Sequence, residues 1–160
     1  MEIIRPAHHL KAEAVHDWKE IQDEALEMKE LIKRNDFKGL YSQGYALSHA
    51  QVSNQPKDFF VLNTAVELDK IGKLEKVFGH WCIINPKLLA GDEEVDFMEA
   101  CMSFPFRAAK KTKRFFNIKV EYFTPGLLGL KRHVKQLIDI PAYIIQHELD
   151  HAQGRNIYNL

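Results

Sequence analysis

Cysteine is scarce: the 160 residues hold two, Cys82 and Cys101. Two thiols cannot build a disulfide framework, and in a reducing compartment a lone cysteine is usually buried, catalytic or a metal ligand. An excess of one charge is also lacking, since 22 Lys and Arg balance 22 Asp and Glu. The total therefore gives no reason to expect specific DNA or an anionic membrane as the main partner. No stretch approaches the roughly 20 apolar residues that span a bilayer, and residues 1–10 lack the apolar run of a signal peptide. These absences lead to the expectation of a cytoplasmic, reducing environment, in which a cysteine ligand stays a thiolate. No repeat, low-complexity stretch or linker interrupts the chain. The expectation is one α+β domain over residues 1–160, and nothing demands an oligomer over a monomer.

What is present reads as a helix, a set of strands and a second helix. Val15, Trp18, Ile21, Ala25, Met28 and Ile32 recur every three or four residues, which predicts one amphipathic helix that fades over residues 35–39. Residues 59–63 and 81–84 are short apolar runs that read as strands, the second ended by Asn85-Pro86. Ile118, Val120 and Tyr122 alternate with polar neighbours as in a half-buried strand, closed by a turn at Thr124-Pro125-Gly126. The last helix is expected over residues 142–153. Pro141 suits its first turn, Asp139 or Ile140 its cap and Gly154 its stop. Lys110, Lys111, Lys113 and Arg114 form a basic cluster. It could touch phosphates of ribosomal RNA, but a solvated strand edge blunted by lysine is the favoured reading.

The strongest chemical signal lies in that last helix. His147, Glu148 and His151 form an H-E-x-x-H pattern. Residues four apart share a helix face, so two imidazoles can reach one metal ion while the glutamate acts on its water. With 8 His in the chain, such a pattern arises by chance in about 3% of sequences of this composition, so further ligands are needed to give it weight. A catalytic tetrahedral site needs a third protein ligand. The nine residues after His151 contain no His, Glu, Asp or Cys, so that ligand lies upstream. Cys101, Cys82, the other histidines and several carboxylates are candidates.

Cys101 sits in Glu99-Ala100-Cys101-Met102-Ser103, and Gln146 to His151 reads Q-H-E-L-D-H. Together with Gly44-Tyr45-Ala46-Leu47-Ser48-His49-Ala50-Gln51, these blocks resemble, in order, the E-G-C-L-S, metal-helix and G-x-G-x-A-A-x-Q motifs of peptide deformylases. The resemblance covers residues 44–151. It implies a peptide-deformylase-like fold with an N-terminal helix, small antiparallel or mixed sheets and a central metal-binding helix. The first block departs most, with Ala46 for the second Gly, and Ser48 and His49 for two alanines. Ala resists backbone conformations that Gly allows, and His49 reads first as a satisfied core histidine. The short C-terminus is what a divergent, phage-type member would show.

The resemblance implies Cys101, His147 and His151 as ligands of one divalent ion, Fe2+ in the cell, with Zn2+, Ni2+ or Co2+ as alternatives. It implies hydrolysis of the formyl amide on the starting methionine of nascent polypeptides. Glu148 would move the proton, and the Gln51 amide and the Met102 N–H would stabilise the oxyanion. Tyr45, Ala46, Tyr143 and Ile144 are candidates for the substrate pocket, and Glu99 for a supporting place beside substrate and ligands. The expected partner is a formyl-Met peptide, with the ribosome surface as a second. Competing readings are an H-E-x-x-H metallopeptidase and a non-catalytic binding protein of the same fold.

Overall fold

A computed structural model of the chain describes residues 1–2, 10–34, 44–100 and 109–158. Its elements are α1 (Gln22–Lys33), β1 (Ala46–Ser48), β2 (Phe59–Leu62), α2 (Leu74–Phe78), β3 (Cys82–Glu99), β4 (Lys110–Gly126), β5 (Gly129–Ile138) and α3 (Ile140–Ala152). The five strands form one sheet in sequence order, with every neighbouring pair antiparallel. The strands read from the sequence thus join into a single meander. Helices cover both of its faces, which β2 shows directly. Phe59 and Val61 pack with Ala25, Met28 and Ile32 of α1, whereas Phe60 and Leu62 pack with Ala142 and Ile145 of α3. A strand buried on both faces reads as a continuous apolar run, as residues 59–62 do.

The first helix is shorter than its apolar stripe. The Asp17 carboxylate accepts the Lys19 N–H and closes a 3-10 turn at Trp18–Glu20, so the α-helix begins only at Gln22. Short acidic side chains that bond nearby backbone compete with helix in this way. Val15 is buried outside the helix, where Asn85 bonds both its N–H (2.9 Å) and its carbonyl (2.7 Å). The expected fading at 35–39 falls outside the described residues.

The two long strands were foreshortened in the sequence. Asn85-Pro86 does not end the second strand; β3 runs through it to Glu99. Between the Ile84↔Phe123 and Lys87↔Glu121 pairs, β3 has one residue more than β4, and Asn85 takes φ 48°. This bulge accommodates a proline that cannot donate to the ladder. Likewise Thr124-Pro125-Gly126 remains strand. The turn is Leu127 and Leu128, completed by Gly129 at φ 115°. Among the described residues, no helix is long and apolar enough to cross a membrane.

Two features of the sheet give measurable consequences. A Cβ on Gly91 would lie 2.4 Å from the Phe115 ring, so Gly91→Ala should destabilise the chain by about 1–3 kcal/mol. Urea denaturation of the Gly91→Ala/Phe115→Leu double variant should recover most of that loss; strict additivity would refute the contact. Burial raises the Asp58 carboxyl from 3.8 to about 6. The folded state then binds more protons than the unfolded one, so stability falls as pH rises from 3.8 to 6 and stays lowered above. Asp58→Asn should accordingly raise Tm more at pH 8 than at pH 5. An equal gain at both would rule out titration as the cause.

Candidate metal centre

The helix that carries the histidines is set by its ends. Pro141 sits in the first turn and Asp139 at the cap position, with φ 61° and no side-chain cap bond. Gly154 follows at φ 76°, its N–H donating to the His151 carbonyl, while the Arg155 N–H reaches the Asp150 carbonyl. These bonds satisfy carbonyls that a helix end leaves open.

On α3, His147 and His151 bring their Nε2 atoms to 3.1 Å, with ring centroids 4.9 Å apart. Two nitrogens bound to one ion at 2.0–2.1 Å on tetrahedral directions would stand roughly 3.3 Å apart. The pair therefore fits a shared cation. Glu99 Oε1 lies 2.6 Å from His147 Nδ1. It accepts the Nδ1 proton and leaves Nε2 as the lone-pair end, the form a metal requires. Cys101 and Met102 lie outside the described residues. Cys82 is buried in the α1-side core, where burial pushes its thiol up. That is the far face of the sheet from α3, so Cys82 is no ligand for this pair.

Glu99 is 5% exposed and holds more than His147. Its Oε2 accepts from Thr112 Oγ1 and from Arg114 Nε at 2.5 Å, and its Oε1 accepts from Arg114 Nη2 at 2.9 Å. Arg114 Nη1 donates to Asp150 Oδ2 at 2.6 Å. Burial alone would raise the Glu99 carboxyl, but the hydrogen bonds and charges of His147 and Arg114 outweigh it and hold it at about 2. Arg114 is thus a buried ion-pair residue, not part of a basic surface cluster. Lys111 and Lys113 face Asp96 and Glu94 across the ladder, at 4.0 and 3.7 Å. Strand parity held the missing signal: 112 and 114 share the face of buried Ile118, Val120 and Tyr122.

Glu148 behaves oppositely. Burial, with the nearby carboxylates of Glu99 and Asp150, pushes it up to about 7 against the opposing pull of His147 and Arg114. Its Oε2 is buried without a hydrogen-bond partner among the described residues. A carboxyl poised there can both take and return a proton near neutral pH.

The first block folds as β1 and a 3-10 turn at His49–Gln51 that packs against α3. Ser48 caps the turn, and Gln51 Oε1 accepts the Ser48 N–H at 2.9 Å. That bond fixes the amide of the buried Gln51 with its NH2 as the donor end. Ala46 lies in strand and is not at positive φ, so alanine in place of glycine strains nothing there. His49 Nδ1 accepts the Lys57 N–H at 2.8 Å, and its Nε2–H donates to Glu24 at 2.7 Å. It is a satisfied core histidine. Tyr45 is half-buried, and Ile144 packs in the α3-side core. Tyr143 stacks on Phe97 of β3 with centroids 4.3 Å apart; Phe97 is a neighbour that the sequence did not single out.

Arg114→Met would leave the Glu99 carboxylate buried without its guanidinium, and Asp150 with only the more distant Arg155 at 3.6 Å. A loss of about 3–5 kcal/mol in urea denaturation is expected, and a loss below 1 kcal/mol, the range of an exposed pair, would show that the network is solvated.

The sequence and the fold have counterparts among known proteins. The family model for polypeptide deformylases matches residues 3–159. The chain is 32% identical over 133 residues to the peptide deformylase of Aquifex aeolicus, covering 80% of this chain and 69% of that one. It is 29% identical over 119 residues to that of Ligilactobacillus salivarius, covering 72% of this chain and 60% of the relative. Among solved structures, the peptide deformylase of Thermotoga maritima superposes with a TM-score of 0.74 at 25% identity, over 98% of this chain and 94% of that one. A probable peptide deformylase from synechococcus phage S-SSM7 gives 0.74 at 25%, over 99% and 97%. A whole-length family match, the shared fold and a helix presenting paired imidazoles agree: the chain belongs to the polypeptide deformylase family of enzymes.

Proposed function

We propose that the chain is a metal-dependent hydrolase that removes the formyl group from the starting methionine of nascent polypeptides, releasing formate and a free amine. The observation that carries this reading is the pair of Nε2 atoms 3.1 Å apart on the helix that also holds the buried Glu148. His147 and His151, with Cys101, would hold the divalent ion. Iron is the ion proposed for the cell, and zinc, nickel and cobalt suit the same mixed imidazole and thiolate set. When bound, the ion supplies Lewis-acid activation of water and of the formyl carbonyl.

The chain's own residues do the rest. Glu148, with its carboxyl near 7, takes a proton from the attacking water and returns it to the leaving amine. The Gln51 NH2 and the Met102 N–H donate to the oxygen on which negative charge develops. Tyr143, Ile144, Tyr45 and Ala46 form the apolar wall for the methionine side chain, and Phe97 backs Tyr143. Glu99 keeps His147 in its metal-accepting tautomer. The protein works as a cytoplasmic monomer on formyl-Met chains, with the ribosome surface as a second partner.

Protein purified without oxygen should carry about one metal per chain and release formate from a formyl-Met peptide. Glu148→Ala should lower kcat by about 10²–10⁴-fold while metal content stays, and Cys101→Ala should lose the metal. Metal bound, yet no formate under iron, nickel or cobalt, would sink the deformylase reading. Full metal retention by Cys101→Ala would favour a peptidase with another third ligand.

A further inference from the structure

Leu127 and Leu128 form the tip of the β4–β5 hairpin and are 105% and 104% exposed. The turn does not need them. Both keep negative φ, and Gly129 carries the positive one; such positions ordinarily take Asn, Asp, Ser or Gly. Among the described residues neither leucine belongs to an apolar cluster.

The β5 flank carries two cations, and the β4 flank from Tyr122 to Gly126 carries no charge. Lys131 and Arg132 follow on β5, both exposed. The nearest carboxylate along the hairpin is Glu121, whose Oε2 is held by Arg132 at 2.7 Å. At about 3.3 Å per residue, the two cations stand roughly 10–13 Å behind the leucines. An apolar element at a bilayer surface sinks about 5–10 Å, to the boundary of headgroups and acyl chains. Leucines at that depth would place Lys131 and Arg132 among the headgroup phosphates. RNA is a poorer fit, because the tip offers no ring on which a base could stack.

We propose that this hairpin is a membrane-surface contact. Leu127 and Leu128 enter the acyl boundary of an anionic bilayer, while Lys131 and Arg132 pair with its phosphates. Two leucines and two cations make a weak, reversible anchor. Gly126 lies 12 residues along β4 from Arg114, about 40 Å, so the contact leaves the metal centre open. Net charge and the lack of a spanning segment, which argued against a membrane partner, do not register a two-residue tip.

Flotation of the full chain with vesicles tests this. Partition is expected into phosphatidylcholine vesicles containing roughly one-third phosphatidylglycerol, more than into phosphatidylcholine alone, and it should weaken with salt. Leu127→Ser/Leu128→Ser should weaken it at least about tenfold, with Tm and formate release in solution unchanged. Lys131→Ala/Arg132→Ala should abolish the preference for anionic vesicles while Tm holds. No partition, or equal partition by the serine variant, would overturn the proposal. So would self-association of the unaltered chain that the serine variant abolishes without any vesicle binding, which would make a second copy the occupant.

Discussion

A buried carboxylate costs several kcal/mol in lost hydration unless opposite charge and hydrogen bonds replace the water, and Glu99 is the point where this chain makes that replacement. Its two oxygens are met by Arg114, Thr112 and His147, drawn from β4 and α3. The end of β3, the start of β4 and the last helix must come together before the charge is satisfied. The same atoms set the chemistry. Glu99 fixes the proton of His147, and Arg114 passes from Glu99 to Asp150, the residue before His151. One guanidinium thus ties down both ends of the histidine pair. Glu148 lies between those ends and receives no such partner among the described residues. Two glutamates of one site are driven to about 2 and about 7 by their surroundings alone, which separates a fixed anion from a proton carrier.

The helix itself is held by a second replacement. Pairing of β5 with β4 stops at Ile138↔Asn117, so Phe115 has no strand on that side. The Gln146 side chain fills the place. Its Oε1 accepts the Phe115 N–H and its Nε2 donates to the Phe115 carbonyl, both at 2.9 Å. An amide side chain can do this because it carries the same donor and acceptor as a peptide group. Gln146 therefore aligns α3 on the sheet one residue before the first histidine.

What could be read from the chain follows from the range of the forces involved. The ends of α3 and its i, i+4 histidines depend on neighbours within one helical turn, and Pro141, His147, His151 and Gly154 announced them. The long strands depend on partners far away. At Asn85-Pro86 the bulge breaks the alternation that marks a strand, and the pairing that restores it comes from β4. Arg114 was hidden differently. Beside three lysines it looks like surface charge, and only the parity it shares with Ile118 and Val120 places it inside. Asp17 shortened α1 through a local bond that an apolar stripe does not show. Cys101 and Met102, the other half of the expected site, lie outside the described residues.

The departures in the first motif have a common physical meaning. His49 and Ser48 stand where the motif they resemble has alanine, and an alanine could make neither of their bonds. Ser48 caps the turn that aims Gln51. His49 stacks on Phe59 at 4.7 Å, accepts from the Lys57 backbone and donates to Glu24 of α1. Because its Nδ1 is committed as an acceptor, its Nε2 must carry the proton toward Glu24. The tautomer is fixed from both sides, whereas at His147 it is set by Glu99. The first motif is thereby fastened to the N-terminal helix α1, which lies outside the three motif blocks. A buried ring bonded at both nitrogens holds its segment more firmly than a methyl group can. These substitutions therefore read as a different way of bracing Gln51, not as decay of the site.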